Sequence, residues 1–511
     1  MILKKYFKIE YLGILLLFIV ALAMRSYRLT SLFPFTMDEE YQAFLVKNII
    51  SGQHLPLIGV NVANTGLYLG PFFTYLSVIP YYLANLNPLG TAWVAAILGS
   101  LVTILIVIII YQQTKKLPLA LLAGLFYAIN PLVNLYDRKF WNPSLVILLT
   151  LLWFWALLNI SKNRKWWLLI ALVLGLSFHV HYSLLVLALP TSWQVWQQGF
   201  FKQKMKWSKL KSWSLIIFLL CLLPLFLFEI RHNFLQTQSL ITLISPFGKE
   251  GLVLDQSIWD KFKIIWTILG NLWFLGWKID ITKFLTFFNP SIIKIILGLL
   301  WLPLLIFLLK KSKYHQITKL IGAILASLVL ILLFYSGPIA PYYLLLIFPL
   351  FLILLALFFD NLIFSKQKFA KNLNIGFLTI LLIVWTSQSL SLTNHLGWDN
   401  KIKIFELTRK YLKDRPYNLE VLGDYSRYEG YRYITEFLGL KPVSSYMDNY
   451  FAWLYPQDVG QPAVYDLVIY NQQDLDKKAK QQWRNWQITY SDWRLQTSEG
   501  DFGIIVLKRK D

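Results

Sequence analysis

Residues 12–24 read LGILLLFIVALAM, and residues 25–28, RSYR, follow at once. An uncharged apolar run this near the N-terminus is either a cleaved leader or a first membrane span. A leader ends in small residues at its cleavage site, and Arg25, Tyr27 and Arg28 stand where those would be needed. The run is read as an uncleaved span, the first of a series. Crossing a hydrocarbon core of about 30 Å takes about 20 helical residues, and apolar runs of that order recur up to residue 391.

Composition agrees. Of 511 residues, 57% are hydrophobic and 15% charged, against about 45–50% and about 25% in ordinary soluble domains. A water-soluble globular protein is excluded, and the fold class is mostly α, polytopic and membrane-embedded. The single cysteine, Cys221, lies inside the apolar run 215–228, so no disulfide forms within one chain.

Charge supplies the topology. The stretches 1–10, 111–117, 161–165, 199–211, 310–315 and 360–372 are almost purely basic, their acids being Glu10 and Asp360. By the positive-inside rule all six are cytoplasmic, so an even number of crossings separates each from the next. If residues 68–86 spanned, Lys115 and Lys116 would be inverted, and every later basic loop with them. That segment is tyrosine-rich and interrupted by Pro71 and Pro80; it is placed flat on the outer surface as an interfacial helix. About eleven spans remain, near 11–24, 90–111, 118–136, 142–160, 166–178, 182–198, 213–229, 289–309, 317–335, 342–359 and 374–391. With the N-terminus inside, an odd number puts the C-terminus outside, and the expected location is the cell (plasma) membrane, multi-pass. The net charge of +22 then belongs to loops beside anionic headgroups, and no nucleic-acid motif accompanies it.

Three long regions face the exterior: 25–89, 230–288 and the tail from 392. Within the second, residues 258–277 carry aromatic and aliphatic side chains at helical spacing and read as another interfacial helix. In the tail the hydrophobic runs shorten to strand length at 419–422, 465–470 and 502–507, alternating with helix-like segments at 402–412, 431–438 and 475–486. Residues 392–511 are therefore expected to form a small α/β extracytoplasmic domain, long enough for its own core, beside a transmembrane domain of residues 1–391.

The residues with chemical potential gather on the exterior side. Residues 33–41 read FPFTMDEEY, immediately beyond the first span. Asp38, Glu39 and Glu40 repel one another, and at an apolar interface desolvation and like charge raise a carboxylate pKa, which suits a general base. The competing reading is a solvated acidic loop that discourages cytoplasmic retention. At the outer end of the third span Asp137, Arg138 and Lys139 stand among Asn134, Tyr136, Trp141 and Asn142, with Pro143 next. Adjacent cations hold phosphate, Arg as a fork and Lys as a point charge, although short loops between spans also carry such residues without a role. His179 and His181 flank one residue before Tyr182; on a helix such a pair faces apart, which favours hydrogen bonding over metal binding. Glu229, Arg231, His232 and Asn233 close the seventh span, and Tyr342 and Tyr343 open the tenth. The plain alternatives for these are a local ion pair of little worth and interfacial anchors. The spans themselves hold almost no ionisable residue of the kind that pumps and transporters place at the midplane.

An Asp-Glu pair just after the first span (Asp38-Glu39), a long first outer loop with surface helices, an outer Arg138 ahead of the Asn142-Pro143 pair that starts the fourth span, and a C-terminal outer domain together resemble the GT-C glycosyltransferases. The likeness is to the bacterial aminoarabinose transferase and protein O-mannosyltransferase group, over roughly residues 1–391. It implies a polyprenyl-phosphate sugar donor, transfer on the outer face and inversion at the anomeric carbon. Asp38 matches the motif's catalytic acid and Glu39 its neighbour, with Glu40 a helper or a bystander. The chain departs from the aminoarabinose transferase type at Asn142, where that type has an aspartate before the proline and Asp137 is the nearby carboxylate here. It departs again over residues 61–68, NVANTGLY, which lack that type's acidic residues.

The expected reaction needs cationic stabilisation of the departing lipid phosphate and a base for the acceptor hydroxyl. Asp38 is assigned as base, with Glu39 orienting it or the acceptor. Arg138, Lys139, Arg231 and His232 are the candidates for gripping phosphate, with His181, Tyr342 and Tyr343 as further hydrogen-bonding groups. The acceptor is a lipid, a glycan or a protein; no cofactor is called for, and a divalent metal is left open. The competing functions are a lipid-linked polysaccharide ligase or polymerase acting from residues 230–288, a transporter or flippase for a lipid-linked intermediate, and a scaffold whose tail binds a partner.

Overall fold

The computed structural model describes residues 2–62, 65–197, 209–244, 256–311, 313–335, 337–363, 368–412, 415–423, 428–455, 462–471, 490–497 and 502–509. Among them, six helices are long and apolar enough to cross a membrane: Leu89–Thr114, Asn142–Asn159, Lys209–Arg231, Ile292–Lys310, His315–Phe334 and Lys371–Leu390. Shorter apolar helices include Tyr11–Ser26, Leu117–Ile129, Trp166–Val180 and Phe348–Leu362. The chain is a multi-pass membrane protein. Its helices divide by environment. Lys209–Arg231 shows Leu219, Leu220, Leu223 and Phe226 outward, as a lipid-facing span does, whereas Phe348 and residues 350–357 are fully buried. The helix Phe348–Ile363 is thus the centre of the bundle, packed on Leu117–Ile129, Trp301–Lys311 and Lys368–Leu390.

Prolines subdivide several of the expected spans. The run 118–136 breaks at Asn130, which is extended because Pro131 follows it; Pro131 then opens the short helix Pro131–Tyr136, capped by the Asn130 side chain on Val133 N. The run 142–160 opens with a 3-10 turn, Asn142–Leu145, and 182–198 divides into a 3-10 turn, Tyr182–Leu187, and the helix Ala188–Gln197.

The two segments expected to lie flat differ. Phe72–Leu83 buries Phe73, Ser77 and Tyr81 on one face and exposes Phe72, Ile79 and Tyr82 on another. Ile258–Gly270 exposes only its first turn, at Ile258 and Trp259; Ile265 to Gly270 are buried. The reason is a close crossing with Ile292–Leu299. A Cβ on Gly298 would overlap the Trp266 carbonyl, and one on Gly270 the Lys294 carbonyl. A surface placement for this helix is corrected to a packed one.

Among the described residues the tail builds one mixed sheet of five strands, β1 (Tyr417–Leu422), β2 (Ser444–Ser445), β3 (Tyr465–Asn471), β4 (Tyr490–Thr497) and β5 (Phe502–Arg509), in the order β2-β1-β3-β5-β4. β1 runs parallel to β2 and β3, and β5 antiparallel to β3 and β4. The helices Trp398–Leu412 and Tyr431–Phe437 accompany it. The helix expected over 475–486, the basic residues 199–208 and residues 245–255 of the second long loop lie outside the described residues. A second hydrophobic core joins this tail to the first long loop: Phe33, Phe35, Phe44, Val46 and Tyr81 pack with Trp398, Phe405, Tyr433 and Leu454.

Candidate active site

The site begins at the helix Met37–Ile50. Thr36 is its N-cap and Glu39 its third residue, and the two form a capping box: Glu39 Oε2 accepts from Thr36 N at 2.9 Å and Thr36 Oγ1 at 2.6 Å. Successive residues on a helix turn by about 100°, so the three acids point three ways. Glu39 turns inward and is buried, and burial pushes its carboxyl up although Lys139 beside it pulls the other way. Glu40 faces the tail, accepting from Tyr433 N at 2.6 Å, and burial pushes it up to about 8. Asp38 alone is open, its side chain 55% exposed.

The other side of the site starts at Asn130. The break there turns the chain so that Asp137 meets Arg25, with contacts of 2.8 and 2.6 Å from the guanidinium to Oδ2. Gly99 makes the room, since a Cβ there would collide with both partners. Arg138 is fully buried and donates to the carbonyls of Met24, Arg25 and Tyr27, closing the C-terminal end of the first helix, Ile2–Ser26. Lys139 comes next and reaches the acids. Its Nζ lies 2.7 Å from Thr36 Oγ1, 3.3 Å from Glu39 Oε2 and 3.6 Å from Asp38 Oδ2, and 3.9 Å over the Trp141 ring.

Aromatic rings extend the site from there. Trp141 meets Tyr342 edge-on at 5.0 Å. His181 lies 5.4 Å from Tyr342 and 5.3 Å from Tyr343. Burial pushes the His181 imidazole down to about 4, so it is neutral; its Nδ1 accepts from Ser183 N at 3.2 Å, which leaves the proton on Nε2 as a donor. Asp38, Lys139, Trp141, Tyr342, Tyr343 and His181 thus form one cluster.

The other candidates fall elsewhere. Glu40 faces the tail, Asp137 is held by Arg25, and Arg138 is engaged with carbonyls. Asn142 donates to His179 O at 3.4 Å, and His179 receives Phe72 N and contacts Cys221 O. Arg231 and His232 are exposed beyond the cluster, the His232 ring stacked 4.1 Å from Phe228. The Thr36 cap was missed in the sequence, although its three-residue spacing to Glu39 signals one; Arg25 and Gly99 carry no such signal, because their partner lies far along the chain. Among the described residues, no group of three or more His, Cys, Asp or Glu side chains is placed to hold a metal ion.

Comparison with known proteins bears on this arrangement. Residues 70–228 match the family described as dolichyl-phosphate-mannose-protein mannosyltransferase. The structure superposes on that of ArnT from Cupriavidus metallidurans bound to undecaprenyl phosphate with a TM-score of 0.56 and 11% identity, covering 96% of this chain and 97% of that one. The chain has the overall fold of ArnT. The apo ArnT structure from the same organism gives the same TM-score at 10% identity, covering 99% of this chain and 98% of that one. No curated protein sequence matches the chain. Within that fold, the segment matched by the family model holds Lys139, Trp141 and His181, while Asp38 precedes it.

Proposed function

We propose that the protein is a glycosyltransferase that moves a sugar from a polyprenyl-phosphate donor to an acceptor hydroxyl on the outer face of the membrane. The observation that carries this reading is the open Asp38 carboxylate 3.6 Å from the Lys139 ammonium, in a helix bundle that shares the fold of ArnT. The undecaprenyl phosphate bound by ArnT supports a lipid phosphate as the donor's carrier. The tail and both long loops lie outside in this reading, with the N-terminus in the cytoplasm.

The acceptor oxygen attacks the anomeric carbon as the bond from that carbon to the phosphate oxygen breaks. The bonding pair leaves with the polyprenyl phosphate, the acceptor proton passes to Asp38, and attack opposite the leaving group inverts the centre. Lys139 is the cation assigned to the growing phosphate charge; Trp141 on one side and the capping box on the other fix its ammonium. Glu39 acts by holding the helix start. The His181 Nε2 proton and the Tyr342 and Tyr343 hydroxyls supply neutral donors for the sugar or phosphate.

The test is a transfer assay on purified protein in lipid, with a panel of polyprenyl-phosphate sugars and acceptors, reading release of polyprenyl phosphate. Wild type is expected to release it and Asp38→Asn to fail while folding normally, since its side chain is open to solvent. Equal release by both moves the base elsewhere; release by neither across the panel overturns the reading.

A further inference from the structure

The turn that leads into the Asp38 helix is held from the tail. Phe35 has a φ of 40°, in the left-handed region that a bulky residue occupies only when its surroundings over-determine it. The determinants come from residues 398–430. Lys401, with no exposed side-chain surface, donates to Pro34 O at 2.7 Å, to Phe35 O at 2.9 Å and to the Glu429 carboxylate. Gly430 N donates to the same Phe35 carbonyl at 3.1 Å, and Trp398 N to Phe33 O at 2.9 Å. Thr36 and Glu429 form an isolated β-bridge. The next residues are the N-cap, Thr36, and then Asp38.

We propose that Lys401 is a positioning residue for the reaction and that the tail is an integral part of the catalytic site. Lys401 fixes the strained turn at residues 33–36, the turn sets where the helix begins, and the helix start sets Asp38 against Lys139. This rests on the glycosyltransferase reading of Asp38. Adhesion alone does not account for a buried ammonium, because desolvating it is costly and apolar side chains of similar size would hold two surfaces together as well. Apolar adhesion is already present here: Phe35 packs on Trp398 at 5.4 Å and on Tyr433 at 5.9 Å. What Lys401 adds is direction, two carbonyls and one carboxylate converging on one nitrogen.

The test compares wild type with Lys401→Met and with the double variant Lys401→Met, Glu429→Leu, which removes the pair without stranding a buried carboxylate. In the double variant kcat is expected to fall about 100-fold, as small misplacements of a reacting group do, with the donor KM unchanged within about twofold. Hydrogen exchange of amides 33–41 should accelerate while those of β1, β3 and the bundle stay protected. Wild-type kcat with wild-type protection of residues 33–41 in a folded double variant would overturn the proposal. If wild type itself transfers no sugar, the glycosyltransferase reading fails, and the exchange data still decide whether Lys401 fixes the turn.

Discussion

Asp38 and Glu39 are neighbours in opposite surroundings, one open and one buried, and a single cap explains the division. Thr36 and Glu39 satisfy each other at the helix start, and Thr36 Oγ1 is also a 2.7 Å partner of Lys139. Replacing Thr36 by alanine should cost about 1 kcal/mol of stability, the usual worth of an N-cap. It should also reduce transfer, because Lys139 loses its anchor; thermal unfolding and the transfer assay on the same preparation check both. At this scale the residue types that the fold gathers were legible in the sequence. Asp38, Lys139 and the paired tyrosines could be named as candidates from their type beside apolar spans, but they could not be told from loop residues or interfacial anchors until the fold gathers them. Arg138, a phosphate candidate by type, is found on the carbonyls of the first helix, because an arginine near the end of a helix serves its orphan carbonyls as readily as it serves a phosphate.

Helices carry the site by where they stop. The Asn130 break and the room left by Gly99 let Arg25 and Asp137 pair across 112 positions of sequence, and Lys139 inherits its place from that pair. Removing one partner of a buried pair costs about 3–5 kcal/mol, while replacing both by apolar residues is often neutral. Arg25→Met should therefore lower the melting temperature sharply, and Arg25→Met with Asp137→Leu should recover most of the loss; recovery absent in the double variant would refute the pairing as the cause. The helices themselves were legible, since an apolar run of sufficient length admits little else in a membrane. The breaks at Asn130-Pro131 follow from local chemistry, yet the pair they create does not, because nothing in a linear pattern records which distant residue fills the space a glycine leaves. The same holds for Ile258–Gly270, whose amphipathic start suggests a surface and whose Gly270 contact with the Lys294 carbonyl buries the rest.

Over the whole molecule, the division into a membrane part and a tail at residue 392 is blurred by the core that both share. Glu40 reports on that seam. Its carboxyl is pushed from 4.5 up to about 8 by burial against the tail, so the folded state favours the protonated form. The stabilisation is complete below about pH 4.5 and is lost as pH rises through about 8, where the folded state binds more protons than the unfolded one. Melting temperature should fall from pH 5 to pH 9 in wild type and vary less in Glu40→Gln; parallel profiles would remove Glu40 as the source. The strands of the tail were readable as short alternating runs, whereas its attachment to the first loop was not, since Lys401 and Glu429 look like any surface ion pair until the fold encloses them. That attachment has a consequence for how the protein is made. Pro34 and Lys401 are 367 residues apart, so at ribosomal speeds of about 5–20 residues per second the first loop waits roughly 20 to 70 seconds for its clamp. Through that interval a newborn chain holds Phe33 and Phe35 without their aromatic partners Trp398 and Tyr433, and under the proposal for Lys401 its Asp38 has yet to be set against Lys139.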